Sequence, residues 1–192
     1  MYKVKRGRLA CAAKVFELGG LAENEISTLY NSVRKELKAM CLVDKCVNVI
    51  RVFGIVKIPD NLVLVMEYAS GGSLRNYLNE AERPLDKKEV LDFVYDVANG
   101  MKEIYRKGVE HRDLKAANVL LDEHHGKLIA KVCDFGLSKC EDLMTHISST
   151  SNRGGSIKGT LAWKAPEEFD DEPFSQKSDV YSFAIVIWEM MT

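Results

Sequence analysis

One octapeptide concentrates the polar chemistry of this 192-residue chain: His111-Arg112-Asp113-Leu114-Lys115-Ala116-Ala117-Asn118. It sets a carboxylate, an ammonium and a carboxamide close together. Downstream come Asp134-Phe135-Gly136 and then Ala165-Pro166-Glu167. A carboxylate can take up a proton, and a lysine can neutralise an anion. Carboxylate and amide oxygens suit hard cations. Taken singly, each is an ordinary polar loop residue. Three such signatures, in this order and at this spacing, are hard to obtain by chance.

The elements that must carry these loops can be read from periodicity and punctuation. Leu9 to Val15 reads as a strand ending on Lys14 and Val15. From Asn24 to Val43, Leu29, Val33, Leu37 and Met40 recur at near-helical spacing. Val52–Ile58 and Leu62–Tyr68 read as two strands joined by the turn cluster Pro59-Asp60-Asn61. Ser70-Gly71-Gly72-Ser73 reads as a flexible linker whose last serine caps a short helix. Asp86 with Glu89 forms an acidic capping box. Val90, Val94, Val97, Met101, Ile104 and Tyr105 follow at helical spacing, and Gly108 closes that helix. It lies immediately before the octapeptide and supports it from behind.

Bulk properties exclude several classes. Hydrophobic residues make up 46% and charged residues 29%, as in ordinary globular chains. A net charge of −1 provides no field for nucleic acid or an anionic membrane. No apolar run reaches membrane-spanning length; the longest, near Phe183 to Met191, is interrupted by Glu189. The five cysteines form no C-x-x-C pair, which argues for a reducing compartment. His124, His125 and His146 have no ligand-spaced partners and read as surface residues.

The octapeptide matches H-R-D-L-K-x-x-N, and with D-F-G and A-P-E the chain resembles a protein kinase catalytic domain. The tyrosine-kinase-like group of serine/threonine kinases (mixed-lineage, Raf and RIP types) is the best match. The resemblance implies an α+β, two-lobe fold: a small antiparallel β lobe with one helix and a mainly helical large lobe. Residues 1–69 would form the small lobe and hinge, and 70–192 a partial large lobe. Met1-Tyr2-Lys3 aligns with the V-Y-K that closes the glycine-rich loop, and Thr192 falls near the central large-lobe helix, so a kinase domain truncated at both ends is expected. The apolar surface of that helix (Ile185, Ile187, Trp188, Met191) is then expected to lie exposed.

Site roles follow from the resemblance, residue by residue. Asp113 would accept the proton of the substrate hydroxyl, and Lys115 would stabilise the γ-phosphate. Asn118 and Asp134 would hold Mg²⁺. Lys14, in Cys11-Ala12-Ala13-Lys14, would pair with the ATP phosphates, and Ala12 would pack on adenine. Glu36 is the chosen ion-pair partner of Lys14, with Glu23 and Glu25 as competitors. Met66 would be the gatekeeper, Glu67 and Ala69 would offer backbone groups to adenine, and Leu120 would pack beneath it. Asp179 would cap the backbone of the octapeptide loop. Glu110, at an ordinarily apolar position, should find a partner or reach water. D-L-K-x-x-N together with Thr160 favours a serine or threonine acceptor over tyrosine. The implied partners are a protein substrate, and an upstream activating kinase or a dimer partner. Phosphorylation near Thr150 would pair with Arg112. The implied location is cytoplasmic. The alternative is a catalytically weak fragment or pseudokinase that serves as a protein-interaction module.

Overall fold

The computed structural model describes residues 2–6, 9–41, 43, 45–81, 83–135, 161–169 and 174–192. They fall into two compact units. The first draws on Met1–Lys45 and Arg51–Tyr68; the second draws on Cys46–Ile50, Ala69–Gly136 and Ile157–Thr192.

In the first unit, β1 (Tyr2–Arg6), β2 (Leu9–Glu17), β3 (Val52–Ile58) and β4 (Asn61–Glu67) form one antiparallel sheet in the order β1-β2-β4-β3. Along β4, Leu62, Leu64 and Met66 are buried and their neighbours are less so, the two-residue period of a strand with one covered face. Phe16, Lys14 and Ala12 lie opposite them in register. The helix α1 (Glu23–Cys41) buries Leu29, Val33, Leu37 and Met40, the stripe legible in the sequence. Both ends of β4 differ from expectation. The strand stops at Glu67 rather than Tyr68, and it starts at Asn61, a residue of the expected turn, because Asn61 pairs with both Glu17 and Ile58. A bulge between Val52 and Gly54 shifts the β3 register.

The second unit is built on helices α2 (Leu74–Glu80), α3 (Lys87–Arg106) and α4 (Gln176–Met191), with the hairpin β5 (Val119–His124) and β6 (Lys127–Val132). Its turn, His125-Gly126, has both residues at positive φ, the arrangement that matches strand twist in a two-residue hairpin. The capping box is present as expected. Asp86 accepts the amides of Lys88 and Glu89 at 2.8 Å, and Glu89 accepts the Asp86 amide at 2.8 Å. α3 buries Phe93, Val97, Met101 and Ile104, and Gly100 is the point of closest approach. A Cβ there would lie 2.5 Å from the Asn48 carbonyl oxygen and 2.9 Å from Val132 Cγ2.

The segment Ser70-Gly71-Gly72-Ser73 is not the flexible linker the composition suggested. Gly71 donates to the Leu121 carbonyl, and Leu121 donates to the Gly72 carbonyl, each at 2.8 Å. A Cβ on Gly71 would lie 2.9 Å from that Leu121 oxygen. The glycine serves close backbone approach rather than mobility. Ser73 caps α2 as expected, accepting the Asn76 amide at 3.2 Å.

Candidate active site

α3 delivers the chain to Glu110, and a sharp loop then carries His111 to Lys115 before a single turn of 3₁₀ helix, Ala116–Asn118, leads into β5. Three predicted site residues meet in this loop. Lys115 Nζ lies 2.7 Å from Asp113 Oδ2. Asn118 Nδ2 donates to the same Oδ2 at 2.9 Å and to the Asp113 carbonyl at 2.7 Å. The Asp113 carboxylate is thus fixed by a lysine and an amide on one oxygen. Since Asn118 Nδ2 is turned to Asp113, its Oδ1 is the atom of that amide able to meet a cation.

Asp134 follows β6, beside the same turn: the Cys133 amide donates to the Asn118 carbonyl at 3.0 Å. Asp134 has φ 60 and Arg112 has φ 69, left-handed conformations that are uncommon away from glycine. Both flank the proposed chemistry, where such conformations cluster. Neighbouring Phe135 is buried, with its ring 6.4 Å from that of His111.

The loop is held from below by α4. Asp179, fully buried, accepts the backbone amides of His111 and Arg112 at 2.8 Å each, as the sequence led us to expect. Burial pushes its carboxyl up, while those two N–H groups pull it back. His111 is also fully buried. Desolvation lowers its pKa from 6.5 to about 4, against the opposing pull of Asp113 and Asp134. The imidazole is therefore neutral at physiological pH, and its Nδ1 accepts the Asp113 amide at 3.3 Å.

Glu110 finds the partner it needs. Its Oε2 lies 2.7 Å from Arg112 Nη2 and 3.1 Å from Nε. Arg112, the expected phosphate receiver, is thus engaged by a carboxylate and lies over the Phe174 ring at 5.3 Å. Thr150 and Thr160 lie outside the described residues.

Leu120 pairs with Lys131 across the hairpin and bridges to Ser73. Ala69 is buried at the start of the second unit's run. Next to it, Ser70 donates its amide and hydroxyl to Asp122 Oδ1 at 3.1 and 3.2 Å. Lys131, almost fully buried, lies 3.7 Å from the other oxygen. Burial pushes the Asp122 carboxyl up, but the Ser70 amide and the Lys131 ammonium outweigh it and hold it below the usual range. This cluster was not anticipated, because Ser70, Asp122 and Lys131 meet only through the fold.

In the first unit, Ala12 lies opposite Met66, Cys11 opposite Glu67, and Lys14 opposite Leu64. Ala12 and Met66 are buried. Lys14 Nζ is 5.7 Å from the Phe16 ring centroid, so its stem runs along the apolar face of the sheet. The Glu67 side chain accepts the Arg51 amide at 3.1 Å, and its own amide donates to the Arg51 carbonyl at 2.8 Å. Glu36 lies in α1, and its side chain lies outside those described.

Pro166 and Glu167 lie in a 3₁₀ segment, Pro166–Phe169, and Ala165 immediately before it is buried. Glu167 accepts the Ser178 hydroxyl at 2.9 Å. Glu189, read in the sequence only as an interruption of an apolar run, receives the Trp163 indole at 2.8 Å and the Ala116 amide at 3.3 Å. That interruption was the signal available: a carboxylate in an apolar helix must meet donors. On the same helix Trp188 and Met191 are exposed, as expected, whereas Ile185 and Ile187 are half-buried.

In this loop Asp113, Lys115 and Asn118 are in contact, and the buried helix residue Asp179 backs them. Residues 5–192 match the protein tyrosine and serine/threonine kinase family, and the chain belongs to that family. It is 43% identical over 149 residues to serine/threonine-protein kinase CTR1 of Arabidopsis thaliana, covering 76% of this chain and 17% of that protein. It is 33% identical over 145 residues to serine/threonine-protein kinase STY17 of the same plant, covering 76% and 24%. Tyrosine-protein kinase csk-1 of Caenorhabditis elegans is 36% identical over 146 residues, covering 76% and 25%. The chain thus spans a quarter or less of the length of these three relatives. Members of this family use ATP and Mg²⁺ and act on proteins. Among the described residues no helix is long and apolar enough to cross a membrane.

Proposed function

We propose that the chain transfers the γ-phosphate of ATP to serine or threonine residues of protein substrates. The observation that carries this reading is the contact of Lys115 and Asn118 with a single oxygen of Asp113. It fixes a carboxylate beside a cation, in a loop whose backbone is anchored. Phosphoryl transfer asks for such positioning and charge neutralisation more than for covalent chemistry. Asp113 orients the acceptor hydroxyl and takes its proton. Lys115 balances charge on the transferring group. Lys14 pairs with the nucleotide phosphates and Glu36 steadies Lys14. Ala12, Met66 and Leu120 pack around adenine, and the backbones of Glu67 and Ala69 bond to it.

Asn118 Oδ1 and the Asp134 carboxylate would hold Mg²⁺, an oxygen donor set that fits a hard cation. When bound, the metal neutralises phosphate charge. Residues 1–69 act as the small lobe and hinge, and 70–192 as the large-lobe part. The lysine of D-L-K-x-x-N supports a serine or threonine acceptor, and two of the relatives named above carry that description. An upstream kinase acting near Thr150, and a cytoplasmic location, belong to the same reading.

Calorimetric titration with ATP tests the nucleotide and metal roles. Binding should strengthen with Mg²⁺ in the native chain and lose that dependence in Asp134→Asn. Equal Mg²⁺ dependence in the two would overturn the assignment of Asp134.

A further inference from the structure

Glu189 occupies the last turn of α4, with its side chain 9% exposed. Its carboxylate has three donors. Arg75 Nη1 lies 2.8 Å from Oε1, while the Trp163 indole N–H and the Ala116 backbone N–H reach Oε2 at 2.8 and 3.3 Å. Arg75 is half exposed, so the ion pair adds little by itself. The other two donors are partly buried and belong to segments remote in sequence from Glu189. Ala116 follows Lys115 directly. Trp163 sits in the turn Leu161–Trp163, just before Ala165-Pro166-Glu167.

The geometry of the helix gives this contact a partner. Residues 179, 182, 186 and 189 recur at three- and four-residue spacing, and so share one face. Asp179 takes the His111 and Arg112 amides; Ser182 donates to the Trp163 carbonyl at 2.6 Å; Val186 is buried between; Glu189 takes the Trp163 indole and the Ala116 amide. The loop bearing Asp113 and Lys115 is therefore tied to one rigid element on both sides of those residues. Trp163 is held at its backbone by one helix residue and at its ring by another.

We propose that Glu189 is a positioning residue for phosphoryl transfer. It fixes the backbone after Lys115, so that the ammonium stays on Asp113, and it couples the Leu161–Trp163 turn to that loop. This rests on the kinase reading above. Glu189 touches no reacting group and acts only through Ala116 and Trp163. An apolar side chain of similar size would leave both N–H groups without an acceptor.

Amide hydrogen exchange and steady-state kinetics on Glu189→Ala, Glu189→Gln and Arg75→Ala test this. In Glu189→Ala the Ala116 amide should exchange about tenfold faster or more, with kcat falling by a similar factor, as for a lost bond to a charged acceptor. The His111 and Arg112 amides should keep their protection, and KM for ATP should not move. Glu189→Gln should restore most of both, because one amide oxygen can accept from Trp163 and Ala116 together. Arg75→Ala should match the native chain. A measurement on the native protein needs no variant: the Trp163 indole N–H should exchange far more slowly than that of Trp188, which is 61% exposed. Equal exchange of the two indoles, or an unchanged Ala116 amide in Glu189→Ala, would overturn the positioning role. Absence of Asp113-dependent transfer in the native chain would instead overturn the kinase reading, and with it the catalytic meaning of the tether.

Discussion

Asp179 and Arg112 are joined by a 2.8 Å hydrogen bond from the Arg112 amide to a carboxylate that is itself fully buried. The same carboxylate takes the His111 amide on its other oxygen. Arg112 has φ 69, and the bond is what makes that conformation tolerable one residue before Asp113. Asp179→Ala would leave two N–H groups without their acceptor. Each such loss costs about 1–3 kcal/mol, so a destabilisation of several kcal/mol is expected by urea unfolding. Asp179→Asn keeps one oxygen acceptor and should fall between the two.

His111 sets the acid side of stability. Its folded pKa of about 4 lies below the ordinary 6.5, so the unfolded chain binds the proton more tightly. The contribution is fully present above the unfolded value and is lost as pH falls from 6.5 toward 4. Asp113 and Asp134 face the ring and oppose the shift; burial prevails. At about 1.36 kcal/mol per unit, the loss is on the order of 3 kcal/mol. His111→Gln, which cannot take up that proton, should flatten the pH dependence of the unfolding free energy across this window. An unchanged slope would assign the effect to other groups.

Gly100 presents two opposed effects. Alanine is the better helix former by about 1 kcal/mol. At this position, however, its Cβ would meet the Asn48 carbonyl at 2.5 Å, and that carbonyl already accepts the Val132 amide at 2.9 Å. Backbone cannot yield as a flexible side chain can. Gly100→Ala should therefore destabilise the second unit by about 1–3 kcal/mol, measured as a lower unfolding midpoint at unchanged m. A gain in stability would mean that α3 can move away from β6.

What the sequence made legible was local or signalled by an anomaly. The Asp86–Glu89 box lies within one turn and was read directly. Glu110 was legible because it puts a carboxylate where burial demands a partner, and Asp179 through the resemblance of its helix to the central helix of kinases; both meet the expected groups. The stripe Leu29, Val33, Leu37, Met40 follows from period alone. The contacts that escaped join residues remote in sequence: Ser70 to Asp122, Glu189 to Ala116 and Trp163. Half of those donors are backbone amides, which every residue carries and no residue type announces. Gly71 was read as mobile because glycine has two uses, and only the 2.9 Å approach to Leu121 decides between them.

The central claim is that the Asp113–Lys115–Asn118 cluster transfers phosphate from ATP to a hydroxyl. The most direct measurement is incorporation of label from γ-labelled ATP into a protein acceptor, with phosphoamino-acid analysis, for the native chain beside Asp113→Asn. Removing an oriented proton acceptor should cost about 10²–10⁴ in rate. The account predicts phosphoserine or phosphothreonine in the native reaction and a loss of that size in the variant, with ATP binding retained. Equal incorporation by the two proteins, or incorporation into tyrosine alone, would contradict it.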